Sequence, residues 1–216
     1  MSAEPGLPIV FDAPAGPRRA LRVAVVTETY PPEVNGVALT AMRFVEGLRE
    51  RGHEVQLVRP AQRGELQGAG DADLLVKGAP IPRYPHLRMG FPAGRALLHR
   101  WSVDRPDVVH LVTEGPLGWS ALRAAEKLRL PASSDFRTNF HDYSRHYGVG
   151  WLGRPILAYL RRFHNRTFAT LVPTRTLRDE LAQAGFRHLS VVSRGVDSRR
   201  FDPVRRSNAL RASWGA

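Results

Sequence analysis

Residues 22–60 read RVAVVTETYPPEVNGVALTAMRFVEGLRERGHEVQLVRP, and the order of patterns in this stretch decides the fold. Val23, Ala24, Val25 and Val26 form an unbroken apolar run, as a parallel strand covered on both faces requires. Val37, Ala41, Phe44, Val45 and Leu48 then recur at helical spacing, and Gly52 supplies a helix stop. Val55, Leu57 and Val58 make a second short strand. Strand, crossover helix and strand form a βαβ unit, which is right-handed in nearly all proteins. The loop TETYPPEVNG leaves the carboxyl end of the first strand, the edge at which open α/β sheets bind ligands. It contains neither G-x-G-x-x-G nor a P-loop, which excludes the dinucleotide and Walker modes of holding phosphate. Pro31 and Pro32 stiffen the loop, Gly36 lets backbone approach a ligand, and the helix start offers unpaired N–H groups to an anion. The same residues also fit a plain helix cap by Asn35.

Working outward, Leu74 to Val76 reads as a further short strand and GAPIPRYPHLRMGFP (78–92) as an extended, proline-rich connection. Ala93 to Ser102 is expected to be a helix with Ala96, Leu97 and Trp101 on one face. DVVHLVT, introduced by Pro106, is the next buried strand, and Leu117, Ala121, Ala124, Ala125 and Leu128 mark the helix after it. ASSDF is a strand. Arg154 to Phe168 reads as a basic helix with Ile156, Leu157, Leu160 and Phe163 on its apolar face. ATLVP is a strand, followed by a helix with Leu177 and Leu181 inward, a candidate capping box of Thr176 and Asp179, and Gly185 at its end. LSVVS is the last strand. Alternation of this kind means an α/β fold, Rossmann-like, with a mainly parallel sheet and helices on both faces in three layers. Residues 21–204 read as one domain, residues 1–20 as a disordered Pro/Gly-rich leader, and residues 205–216 as the start of a linker helix.

The 216-residue chain has 32 Lys and Arg against 20 Asp and Glu, a formal charge of +12, and no cysteine. Disulfides and thiolate metal sites are therefore excluded. The leader lacks the basic start and long apolar core of a secretion signal, and no apolar run approaches the length of a membrane span. The reading is a cytoplasmic protein, with peripheral attachment to the inner face of the membrane as a second option. The positive field suits anionic partners, although Lys77 and Lys127 are the only lysines and arginine-rich usage accounts for the kind of basic residue. Nucleic acid is not expected, because no recognition motif or stacking platform accompanies the charge. The basic helix beginning near Arg154 could rest on an anionic membrane, or bury its apolar face in the core.

Chemistry-bearing residues gather after three strands. His110 and Glu114 end one strand and enter its loop, where a structural histidine is the plainer reading. Arg137, Thr138, Asn139, His141, Tyr143, Arg145, His146 and Tyr147 crowd one polar, aromatic segment. Guanidinium groups suit phosphate and aromatic rings suit a sugar, while the plain alternative is a wet loop with packed tyrosines. Asp71 and Asp73 read as solvated charge, His53 as structural, and the Asn165-Arg166-Thr167 acceptor pattern as idle.

TETYPPEVNGVALTAMRFVEGLRERGHEVQLV, VVHLVTEGPLG, TNFHDYSRHYG, VPTRTLRDEL and VVSRGVDSRRFDP, in this order, resemble the retaining glycosyltransferases of family four. The likeness is greatest to the GDP-mannose-dependent alpha-mannosyltransferases and covers about Arg22 to Pro203. The resemblance implies the N-terminal, acceptor-side half of a GT-B fold, with a C-terminal donor-binding domain missing from these 216 residues. It implies transfer of a hexose, mannose first, from a nucleotide-sugar substrate, GDP-mannose, to a lipid or glycan acceptor. No cofactor and no metal are implied, and this half alone is expected to be inactive. Asn35 and Gly36 match the loop that meets the donor diphosphate. Arg137 stands where many members have a histidine beside the transferred sugar, so the catalytic candidates are Arg137, stabilising a departing phosphate, or His141 in its place. Candidate acceptor and sugar contacts are Tyr30, Glu114, Thr138, Tyr143, His146 and Tyr147. A different class, a non-catalytic module that binds sugar phosphate or an anionic membrane, remains the alternative.

Overall fold

The structure is a computed structural model that describes residues 19–62, 65, 73–81, 84–137, 150–193, 195 and 201–215. Its centre is a seven-stranded, wholly parallel sheet in the order β3-β2-β1-β6-β7-β8-β9. The strands are β1 (Arg22–Val26), β2 (Glu54–Pro60), β3 (Asp73–Val76), β6 (Val108–Leu111), β7 (Ala132–Asp135), β8 (Ala169–Val172) and β9 (Leu189–Val191). Strand order runs outward from β1 to β3 on one side and from β6 to β9 on the other, so the direction of winding reverses between β1 and β6. Loops leaving neighbouring strands part in opposite directions at such a reversal and open a crevice.

Helix α1 (Gly36–Glu50) covers one face of the sheet. Ala41 and Val45 pack there on Val23, Val25, Val55 and Leu57, with Phe44 and Leu48 alongside. The other face carries α2 (Gly94–Val103), α3 (Pro116–Lys127), α4 (Gly150–His164) and α5 (Arg175–Gln183). Leu97, Trp101, Leu117, Leu122 and Phe163 join Ala24, Val26 and Leu111 in the largest core cluster, and Phe136, Leu160, Val172, Leu181 and Phe186 form a second beside it. A short 3-10 turn (Pro203–Arg205) and α6 (Asn208–Ser213) end the described chain.

Five sequence expectations change. The proline-rich stretch 78–92 is an antiparallel hairpin, β4 (Gly78–Ile81) and β5 (Tyr84–Gly90), separate from the main sheet. A two-stranded ribbon needs ladder donors on one side of each strand only, so it tolerates proline. Ala96 is exposed, and α2 instead turns Leu97, Leu98 and Trp101 inward. Ile156 is likewise exposed on α4, which buries Leu160 and Phe163. The cap of α5 is Thr174, whose hydroxyl accepts from the Leu177 N–H at 3.1 Å, not Thr176. Helix α4 also stops earlier than Phe168, at His164, whose carbonyl accepts from the Thr167 hydroxyl at 2.8 Å.

Candidate functional site

The carboxyl ends of the parallel strands bring together the loops after β1, β6 and β7. The first is held rigidly by its own polar side chains. The Thr29 hydroxyl donates to Glu33 Oε2 at 2.6 Å and accepts from Asn35 Nδ2 at 2.6 Å. Glu33 is buried, and its Oε1 accepts from Gln62 Nε2 and from the Arg88 N–H, tying the loop to β2 and the hairpin. Asn35 Oδ1 accepts from the Ala38 N–H at 2.8 Å and is the N-cap of α1. The cap uses one of the four amides that a helix start leaves open. Gly36 has open space where a Cβ would stand, so its backbone is approachable. Asn35→Ala is expected to cost about 1 kcal/mol through the lost cap, read as a shift of the urea midpoint at unchanged slope.

Tyr30 turns the other way. Its ring packs with the core of β1, β2 and α1, and the Arg59 guanidinium lies 5.7 Å from its centroid. Burial raises its phenol pKa above the usual value.

The crevice between β1 and β6 is closed by Glu28. Its backbone N–H donates to Thr113 Oγ1 at 2.9 Å, and its Oε1 accepts from the Leu117 N–H at 2.9 Å. The amides of Gly118 and Gly90 also point at this carboxylate. Residue Gly115, the N-cap of α3, has no side chain to cap the helix, and Glu28 does so from the loop after β1. A Cβ at Gly115 would collide with that carboxylate. Burial outweighs the three amides, and with the nearby Glu114 charge it pushes the Glu28 pKa up to about 7.

Beside it, Glu114 belongs to a buried polar chain. His164 is fully buried, with Nε2 3.2 Å from Glu114 Oε1 and Nδ1 2.8 Å from Ser134 Oγ. Ser134 Oγ in turn lies within 3.2 Å of the Thr167 and Thr170 hydroxyls. Nε2 thus faces the Glu114 carboxylate and Nδ1 the Ser134 hydroxyl. The Tyr159 hydroxyl donates to the Glu114 carbonyl. Glu114 is therefore fastened to the end of α4, on the face opposite α1.

Arg137 lies on α1's side. His110 is in register with Ser133 of β7, and Asp135 follows two residues later, so all three share one face. His110 is buried against Phe44 of α1, ring centroids 4.7 Å apart, with Nδ1 2.9 Å from Ser133 Oγ. Its Nε2 is 3.4 Å from Asp135 Oδ2. The same Oδ2 accepts from Arg137 Nε at 2.6 Å and pairs with Nη2 at 2.6 Å as a salt bridge. Burial pushes the Asp135 carboxyl up, but His110 and Arg137 outweigh it and hold the carboxyl below the ordinary aspartate range. Thus the structure brings Asn35, Gly36, Glu114 and Arg137 to one sheet edge. Thr138, His141, Tyr143, His146 and Tyr147 lie outside the described residues.

The sequence reading missed Glu28, Asp135 and His164. The signal for Asp135 was present, since it stands two residues before Arg137 and a strand alternates faces with period two. No local pattern announced Glu28 or His164, whose partners are 89 and 50 residues away. His53 proves structural, its Nδ1 accepting from the Leu21 N–H at 3.1 Å. Asn165 is engaged with Gly185 and Arg187 backbone. Among the described residues, no group of three or more His, Cys, Asp or Glu could hold a metal, and no helix is long and apolar enough to cross a membrane.

A parallel sheet with a crevice at its winding reversal and no glycine fingerprint is a Rossmann-like domain, here the N-terminal half of a GT-B fold. A glycosyltransferase structure from Rickettsia africae superposes with TM-score 0.58 at 13% identity, over 91% of this chain and 49% of that one. The chain belongs to Glycosyltransferase Family 4, whose model matches residues 34–200. It is 35% identical over 203 residues to a GDP-mannose-dependent alpha-mannosyltransferase of Corynebacterium glutamicum, covering 91% of this chain and 48% of that protein. It is 33% identical over 202 residues to one of Mycolicibacterium smegmatis, covering 90% and 53%. The chain thus spans about half the length of these relatives.

Proposed function

We propose that this chain is the acceptor-side domain of a glycosyltransferase that transfers a hexose from a nucleotide-sugar, with retained configuration. The donor is GDP-mannose, a substrate and not a cofactor, and the acceptor is a lipid or glycan. The observation that carries the reading is a juxtaposition in a chain one-third identical to alpha-mannosyltransferases. The open N-terminus of α1 and the guanidinium of Arg137 stand on the same face and edge of the sheet. Strands β1 and β7 flank β6 and lie two strand spacings or about 10 Å apart, so groups just beyond their carboxyl ends can address the two phosphates of one diphosphate.

When the sugar–phosphate bond breaks, negative charge builds on the departing diphosphate. Donors already fixed in place stabilise that charge without reorganising. In this chain they are Arg137 and the Gly36 and Val37 amides. A C-terminal domain supplies the remaining donor contacts. The protein works at the inner face of an anionic membrane, for which the exposed Arg154, Ile156, Tyr159 and Arg162 of α4 provide basic and apolar contact.

The test is transfer of radiolabelled mannose from GDP-mannose to a bacterial lipid extract. The 216-residue chain alone is expected to give none above background. Co-expression with the C-terminal half of the Corynebacterium relative is expected to restore transfer. Turnover by the chain alone at about 1 s⁻¹ or faster, an ordinary enzyme rate, would sink the requirement for a second domain. No transfer with either protein would count against the donor reading.

A further inference from the structure

We infer that Asp135 and His110 are positioning residues that aim Arg137 at an oxyanion on α1's side of the sheet edge. This rests on the reading of Arg137 proposed above. An arginine side chain has four rotatable bonds and ordinarily loses much conformational freedom on binding. Here that freedom is already restricted. One buried oxygen, Asp135 Oδ2, accepts from Nε at 2.6 Å and lies 2.6 Å from Nη2, which restrains the guanidinium on that side. The carboxylate is itself confined. Its side chain is 5% exposed, and the buried His110 Nε2, which makes no hydrogen bond, stands 3.4 Å from it. The imidazole is in turn pinned by Ser133 and by the Phe44 ring.

The stack therefore runs from α1 through β6 and β7 to the one member that is only partly buried at the sheet edge, the 20%-exposed Arg137 side chain. Nη1 and the second Nη2 proton face away from the carboxylate. They are the pair of donors with which a guanidinium grips a phosphate. A simple surface ion pair would have no buried third member and no fixed plane.

Inorganic pyrophosphate is the probe, titrated at low ionic strength into the full 216-residue chain. Binding is followed by calorimetry and by the ¹⁵N–¹H resonance of Arg137 Nε. Arg137→Gln is expected to weaken binding about tenfold, the worth of one charge-assisted hydrogen bond. Arg137→Lys keeps the charge but not the fork and is expected to lose nearly as much.

The decisive variant is Asp135→Asn. Coulomb's law alone says that removing a negative charge beside the guanidinium tightens anion binding. Positioning says that it weakens binding, by about threefold to fivefold, because the guanidinium is no longer held in plane. His110→Phe keeps a ring on Phe44 and removes the nitrogen facing Asp135, so it must change affinity in the same direction. Amide spectra that keep their dispersion establish that each variant folds. Unchanged or tighter binding by Asp135→Asn, with weakened binding by Arg137→Gln, would overturn the positioning role and leave the anion site standing. Wild-type affinity in Arg137→Gln, or no binding by the wild type, would overturn both. The second outcome would remove Arg137 from the diphosphate site, while the mannose assay decides sugar transfer itself.

Discussion

Gly118→Ala is expected to be the most damaging Gly→Ala change among the described residues. Gly118 lies in the first turn of α3, where the loop after β6 doubles back under the helix. A Cβ there would overlap the backbone carbonyl of Thr113. Backbone cannot move aside as the end of a flexible side chain can, and Thr113 is itself held by the Glu28 N–H. Overpacking of this kind costs about 3 kcal/mol, lowering Tm by about 10 °C for a domain of this size. Gly36→Ala is the control. It has nothing within 4 Å of its Cβ position, so stability should change by about 0.5 kcal/mol or less. Thermal melts of the two variants beside the wild type give the comparison. Equal Tm values would mean that the β6–α3 turn yields far more easily than its geometry implies.

Glu28→Gln is expected to change the pH dependence of stability by about 3 kcal/mol. The native pKa is raised to about 7 from an ordinary 4.5. Between those values the folded protein keeps a proton that the unfolded chain releases. Stability is therefore undiminished below pH 4.5, falls as pH rises toward 7, and levels off above it. A shift of this size corresponds to about 3 kcal/mol. Glutamine cannot ionise and removes the slope. It also has one acceptor oxygen where the carboxylate has two, which costs about 1 kcal/mol at every pH. The wild type should thus be the more stable protein at pH 4.5 and the less stable at pH 8. Urea titrations at both values measure the crossing, and parallel curves would show that Glu28 is not held protonated. Asp135 acts in the opposite sense. Its lowered carboxyl contributes stability above the ordinary aspartate pKa and loses it as pH falls through the folded value.

The architecture was readable wherever burial forces a period on the chain. The apolar run of β1, the helical spacing of α1 and the small, apolar face of α3 are repeated statements of the same requirement, so isolated substitutions do not blur them. Reading failed where the pattern was short or locally ambiguous. Prolines in 78–92 looked like a break, yet a ribbon outside the main sheet accommodates them. Ala96 and Ile156 fell at plausible helical positions, but neighbouring elements cover Leu98 and leave those two in solvent.

The site was legible in outline, since the carboxyl edge of a parallel sheet follows from topology once the strands are found. Asn35, Gly36, Glu114 and Arg137 were located in this way. Their surroundings were not. Asn35 had two compatible roles, and the structure displays its cap. Tyr30, grouped with the sugar contacts by its loop, packs beneath Arg59. Glu114 is fastened to His164, a residue with no feature to distinguish it from any other histidine on a basic helix.

The sequence by itself determined the parallel α/β fold, the sheet edge that carries the candidate site and, through five ordered motifs, the glycosyltransferase resemblance. Each of these depends on local periodicity or on residues close together in the chain. Only the tertiary structure decided which charges are burdened and which are aimed. Glu28 is raised because a helix 89 residues away closes over it. Arg137 is held because strand pairing sets His110 and Asp135 on one face beneath it. Desolvation and hydrogen-bond direction depend on what surrounds a group in space, and a linear order of residues does not contain that information.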